Sequence, residues 1–287
     1  MGQAEIVKLA LEEDIGTGDV TSKACIPEDR QATGYFLARE EMTLSGVEVL
    51  PLIYENLTLL HKNGDTLQDG DRIAEVSGNA RRLLECERVA LNFLQRLSGV
   101  ASLARQYAKA VEGTGCKVLD TRKTTPGLRQ LEKIAAAAGG VTNHRIGLYD
   151  AILIKNNHIE AAGGVTQAMT DALSTGLPIE IEVRTMAELD EALAAGAKHV
   201  LLDNLSPAEA AKWVSHINRR ATIELSGGIT LSTVRAYAET GADYVSSGAI
   251  THSATAKDIS FRLQWNTPEN VGRVSTGGGL QPASGSK

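Results

Sequence analysis

The sequence predicts an α/β fold in which an α+β region precedes a barrel-like parallel sheet of six or seven strands. Two observations carry this. From about residue 100 short β-rich runs alternate with amphipathic helical stretches, and the last four runs recur at intervals of roughly 20 residues, the length of a βα unit. The 28 glycines, set against an aromatic content of only 4%, fit a chain with many tight turns between strand and helix.

Taken in order, MGQAEIVKLALEED opens the chain with a helical pattern carrying charges throughout. The short strands YFLA, MTLSG, LTLLHK and RIAEVSG follow, with Gly and Asp turns at NGDTLQDGD. The G-D-x-L-x-x-G-D rhythm there invites comparison with a swinging-arm carrier domain, but no lysine occupies a matching hairpin tip. RRLLECERVALNFLQRL is a helix leading into the second region. The strands expected there are KVLDT (117–121), AILIK (151–155), IEIEV (179–183), HVLLD (199–203), TIELS (222–226) and DYVSS (243–247). Thr185 and Ser206 are the expected N-caps of two intervening helices. No G-x-G-x-x-G follows the first of these strands, which counts against a dinucleotide fold. The division expected is therefore 1–100 for the first domain, joined by the segment near 255–265, 101–252 for the catalytic barrel, and a disordered tail over 266–287, rich in Gly, Ser and Pro.

A net charge of −6 excludes a broad nucleic-acid or anionic-membrane surface, which needs a positive field over a wide face. No segment reaches the roughly 20 apolar residues that span a bilayer. Gly2 invites a myristoylation reading, but Ile6 stands where Ser or Thr is required. Cys25, Cys86 and Cys116 are far apart and show no metal-ligand spacing, so a reducing, cytoplasmic setting is expected.

In a barrel of parallel strands the chemistry collects at the strands' C-terminal ends. Those ends carry Arg122 and Lys123, Lys155, Glu182, Asp203, Ser226 with Gly227 and Gly228, and Ser247 with Gly248. Singly, Asp203 and Ser226 read equally well as helix caps, Lys155 as a rim lysine, and Glu180 with Glu182 as partners for barrel lysines. Together they converge on one mouth. ELSGGIT and SSGAIT, two consecutive late strand ends with glycines before a helix start, read as a phosphate-ester site. Between Asp120 and His158 six Lys or Arg face three Asp or Glu, a local excess of +3. Arg129 and Lys133, four apart on a helix, are expected to be solvated; Arg122, Lys123, Arg145 and Lys155, with His144, are left for an anionic ligand. Glu182 and Asp203 fit such a site if a divalent metal bridges them to a pyrophosphate, as Mg²⁺ commonly does. A Schiff-base role for Lys155 and a non-catalytic phosphate-ester sensor are the competing readings.

The motifs EDIGTGDVTS, ECERVALNFLQRLSGVAS, DTRKTTPGLR, NHR, LIKNNHI, EIEV, LLDN, ELSGGIT and GAITHSATAKDIS occur in one order over residues 5 to about 263. In this the sequence closely resembles the quinolinate phosphoribosyltransferase family, the decarboxylating nicotinate-nucleotide pyrophosphorylases of NAD biosynthesis. The resemblance implies an N-terminal α/β sandwich, an open, incomplete α/β barrel, Mg²⁺ as cofactor, and a homodimer in which Arg88 crosses to the partner's site. It implies quinolinate binding at Arg122, His144, Arg145 and Arg88. Lys123 and Lys155 would lie near phosphoribosyl pyrophosphate (PRPP) and the reacting centre, and Glu182 and Asp203 near ribose and the metal. Ser226, Gly227, Gly228, Ser247 and Gly248 would cradle the 5′-phosphate. Asn156 and Ser247 depart from the family's usual Asp and apolar residue.

Overall fold

The computed structural model describes residues 2–265; the tail expected over 266–287 lies outside the described residues. Helix α1 (Gln3–Ile15) ends at Gly16, and α2 (Val20–Cys25) is capped by Asp19, whose carboxylate accepts from the Thr21 and Ser22 amides. Strands β1 (Gln31–Ala38), β2 (Met42–Thr43), β3 (Leu57–Leu59), β4 (Thr66–Leu67) and β5 (Arg72–Asn79) follow, with a 3₁₀ turn over Val47–Leu52. Strand β1 buries alternate residues, Phe36 among them, on the side of the long helix that follows.

Asn79 caps helix α3 (Ala80–Ala110), its side-chain oxygen accepting from the Arg81 and Arg82 amides. This helix is 31 residues long, well beyond the stretch legible as a helix in the sequence, and it runs between the two sheets. Gly99 lies in its interior, where a glycine costs about 1 kcal/mol relative to alanine. A Cβ there would stand 2.2 Å from the Thr255 carbonyl oxygen, so the glycine is what lets the returning chain cross α3.

The parallel units then follow: β6 (Lys117–Leu119), α4 (Arg129–Ala138), β7 (Ile152–Ile154), α5 (Asn156–Ala162), α6 (Val165–Leu173), β8 (Ile179–Val183), α7 (Met186–Ala194), β9 (His199–Asp203), α8 (Pro207–Ile217), β10 (Thr222–Ser226), α9 (Val234–Ala238), β11 (Tyr244–Ser246) and α10 (Ala249–His252). Thr185 caps α7, and Ser206 caps α8 in a capping box with Glu209, as their positions in the sequence predict. The sheet order is β6-β11-β10-β9-β8-β7; the outer strands β6 and β7 do not pair, so the barrel stays open. A last strand, β12 (Ile259–Trp265), leaves this unit and pairs antiparallel with β1, giving a sheet of order β12-β1-β5-β3. The architecture is thus an antiparallel-sheet N-terminal domain beside an open parallel six-stranded one, the α/β class expected.

Candidate active site

The strand ends of the parallel sheet enclose a cavity of about 420 Å³ lined by Arg122, Lys123, His144, Arg145, Lys155, Glu182, Asp203, Glu224, Ser226 and Ser246, with Leu153 and Leu201 as apolar wall. It draws together all four cations singled out in the sequence, His144, and both carboxylates. The position of the cations follows from what anchors the chain behind them. Asp120, fully buried at the end of β6, accepts from Lys133 Nζ at 2.5 Å and from the His144 amide at 2.8 Å. Lys133 Nζ also donates to the His144 carbonyl at 2.9 Å. Lys133 is 2% exposed, so the expectation of a solvated lysine is wrong: it is the counter-ion of a buried aspartate and ties the Arg122 loop to the His144–Arg145 loop. Arg129 stays partly exposed, but its guanidinium donates to Thr124 and to the Ile146 and Arg122 carbonyls and braces the same two loops.

This bracing leaves charge exposed to a ligand. The Nε atoms of Arg122 and Arg145 are buried with no hydrogen-bond partner. Burial and the neighbouring Arg122 charge lower the Arg145 pKa, the signature of two cations held close without an anion between them. On the opposite wall Lys155 Nζ donates to Glu182 Oε2 at 2.6 Å. That contact turns the amine towards a carboxylate partner, whereas a Schiff-base nucleophile needs it free for a carbonyl carbon. Burial, then the Glu182 charge, raises the Asp203 pKa, so the pair of carboxylates favours a cation beside it.

His144 is held by both nitrogens. Nδ1 accepts the Arg145 amide at 2.7 Å, and Nε2 faces Glu180 Oε2 at 3.1 Å and Glu224 Oε2 at 3.3 Å. Burial opposes charge on the ring, the hydrogen bonds and charges of Glu180 and Glu224 draw a proton to it, and the amide donated to Nδ1 leaves only Nε2 to carry one. The ring proton sits on Nε2 and draws the two carboxyl groups together, as a small cation would.

The glycines serve close approach. Gly227, at φ 95°, has no room for a Cβ, which would stand 2.6 Å from the Asn204 amide; at Gly248 one would meet Lys123 Cδ at 2.7 Å. Gly228 at φ 62° continues the turn after β10. Ser247 turns away from the cavity: its Oγ donates to the Ile229 carbonyl at 2.7 Å behind the sheet, and Ser246 faces the cavity in its place. Arg88 is exposed on α3, away from this cavity. Asp203 and Ser226 do not cap helices; Asp203 instead accepts from Asn204 Nδ2 at 2.6 Å. The sequence reading missed Glu224 and Ser246. Glu224 shares the face of Ser226 two residues on, so alternation could have placed it at the mouth, whereas Ser246 lies on the face opposite to that expected from Ser247.

Comparison with known proteins agrees with this geometry. The profile of the quinolinate phosphoribosyl transferase N-terminal domain matches residues 19–98 and that of the C-terminal domain residues 100–262. The chain is 40% identical to the Arabidopsis thaliana chloroplastic nicotinate-nucleotide pyrophosphorylase (carboxylating), over 93% of this chain and 84% of that one. It is 38% identical to a mitochondrial quinolinate phosphoribosyltransferase (decarboxylating) of Nicotiana tabacum, over 94% and 84%. The solved nicotinate-nucleotide pyrophosphorylase of Francisella tularensis superposes with a TM-score of 0.86 at 40% identity, covering 91% of this chain and 96% of that one. Both domain profiles in their proper order, and relatives alike over nearly the whole length, lead to one conclusion: the chain belongs to the quinolinate phosphoribosyl transferase family.

Proposed function

We propose that the protein transfers the phosphoribosyl group of PRPP to the ring nitrogen of quinolinate and releases pyrophosphate and CO₂, leaving nicotinate mononucleotide for NAD biosynthesis. The observation that carries this is the divided cavity: two guanidinium groups whose buried Nε atoms have no partner on one wall, Glu182 and Asp203 on the other. Arg122 and Arg145 match the two carboxylates of quinolinate, and His144 fixes the loop that carries Arg145. A substrate with one carboxylate would leave a desolvated cation unpaired, at a cost of roughly 1–3 kcal/mol, so nicotinate is excluded. As the ring nitrogen attacks the anomeric carbon, the positive charge growing on the ribose is favoured by Glu182 and Asp203, while Lys123 and Lys155 receive the charge of the departing pyrophosphate. The ribosylated nitrogen then withdraws electrons from the adjacent carboxylate-bearing carbon, and CO₂ leaves without an organic cofactor.

Glu182 and Asp203 also offer the hard oxygen donors that suit Mg²⁺, and burial, then the Glu182 charge, raises the Asp203 pKa, a penalty that a bound cation would relieve. The ion would hold and neutralise the pyrophosphate. A homodimer belongs to the same proposal, with exposed Arg88 reaching the partner's cavity. So does a cytoplasmic setting, supported by three unpaired cysteines; among the described residues no helix is long and apolar enough to cross a membrane. The test is direct. Purified protein given quinolinate, PRPP and Mg²⁺ is expected to release pyrophosphate and CO₂ in equal amounts, and nicotinate in place of quinolinate to give neither. No CO₂ from quinolinate would overturn the proposal.

A further inference from the structure

One residue with an unfavourable backbone stands at the mouth of the sheet, directly after Asp203. Among the described residues only three other than glycine hold a positive φ: Asn204 at 58°, Asn218 at 47° and Arg219 at 60°. Asn218 closes helix α8, a common place for a left-handed residue, and Arg219 follows it. Asn204 instead follows strand β9, and no helix ends there. Residues with a Cβ avoid this conformation, asparagine less than most.

The chain around Asn204 holds it in place. Its amide donates to the Ser226 carbonyl at 3.0 Å, which carries the β9–β10 ladder one bond further. The Tyr237 hydroxyl donates to the Leu205 carbonyl at 3.0 Å, and Ser206 opens α8 in its capping box. Fixed on both sides, the Asn204 side chain reaches two strand ends at once. Its Nδ2 donates to Asp203 Oδ2 at 2.6 Å. Its other end fills the space over Gly227, where a Cβ would stand 2.3 Å from Asn204 Oδ1 and 2.7 Å from its Cγ. Asn204 does not itself line the cavity.

The two groups it touches belong to neighbouring strands. Asp203 pairs with Ser226, just before Gly227, and adjacent strands lie about 4.8 Å apart, a step that one ribose 5-phosphate can bridge. We propose that Asn204 is a positioning residue for PRPP, which fixes the Asp203 carboxylate for the ribose and locks the Gly227 turn that receives the 5′-phosphate. The inference rests on PRPP as the phosphoribosyl donor and goes beyond it by naming what sets these two groups in register. Asparagine combines both tasks. Glycine would adopt the backbone and supply no donor; aspartate would fill the same space but set an acceptor against Asp203.

The test separates the side chain from its backbone. Asn204→Gly keeps the left-handed turn and removes both side-chain contacts. With the full chain, kcat/KM for PRPP is expected to fall about 30-fold, the loss of a hydrogen bond to a charged group. The KM for quinolinate and the melting temperature are expected to stay at their wild-type values. Asn204→Asp should lose more in kcat/KM for PRPP. If asparagine is present only to satisfy φ, glycine, the better left-handed residue, will be fully active, and that result overturns the proposal. Equal loss for both substrates overturns it as well. Should the glycine variant melt early, the aspartate variant decides, and an unchanged kcat/KM for PRPP there overturns the proposal. An active wild type matched by its variants removes only this assignment. A wild type inactive with quinolinate and PRPP removes the reaction and this assignment with it.

Discussion

Residue by residue, what could be read from the sequence depended on whether a side chain's meaning is local. Arg122, Lys123, Lys155, Glu182 and Asp203 end their strands, so period and position alone place them at the mouth of the sheet. Lys133 was misread because its spacing from Arg129 on a helix matches an exposed stripe; its real partner, Asp120, lies on another element and only the fold brings them together. Glu224 was overlooked for the reverse reason. A glutamate inside an apolar strand has no local signal of being buried beside an imidazole from the loop between α4 and β7. The unpartnered Arg122 Nε carries a prediction. Arg122→Ala is expected to raise the KM for quinolinate about 30-fold, equivalent to about 2 kcal/mol, and to leave that for PRPP nearly unchanged. Steady-state kinetics with each substrate varied in turn will show the difference, and equal loss for both would refute a carboxylate-binding role.

At the scale of elements, the six parallel strands were legible because each is a short apolar run between a helix end and a helix cap, although β6, β7 and β11 are two residues shorter than their runs. Their ends open into the cavity, where turn geometry replaces the ladder. The full length of α3 was not legible, since its second half is rich in small residues that read as neither face of a helix; Gly99 and its neighbours are small because other segments cross there. The return to β12 is fastened by backbone and side-chain hydrogen bonds and by one electrostatic clasp. Glu40 accepts from Lys257 Nζ at 2.8 Å and from the Asp258 amide at 2.8 Å, and the Lys257 hydrogen bond is the largest cause of its lowered pKa. A carboxyl whose pKa falls on folding contributes stability above its unfolded value, near 4.5, and loses it as the pH drops through the folded value. Amides of β12 are therefore expected to exchange faster relative to the core as pH falls below about 4.5, an effect that Glu40→Gln should abolish by making exchange fast at neutral pH as well. Hydrogen exchange followed by mass spectrometry measures this.

For the whole molecule, the two sheets and the long helix between them put Arg88 and the cavity on different parts of one chain. Arg88 sits near the start of the 31-residue α3 and does not line the cavity. If Arg88 serves the partner's cavity, a mixture of Arg88→Ala with Glu182→Ala chains should recover up to a quarter of the wild-type activity per site, since one site in a mixed dimer is then intact, by the statistics of random pairing. Absence of recovery after subunit exchange would show that each chain completes its own site. Strand β12 has a further effect on how such a chain is made. The N-terminal sheet needs residues 259–265 as its outer strand, so during synthesis β1, with Tyr35 and Phe36, emerges from the ribosome with one edge unpaired. That edge stays open until almost the entire barrel has been translated, for roughly 10 s or more at ordinary elongation rates. The protein's most exposed moment for mispairing is thus not in the cell's pool of finished molecules but in each nascent chain, and chaperone demand should track translation speed through the barrel.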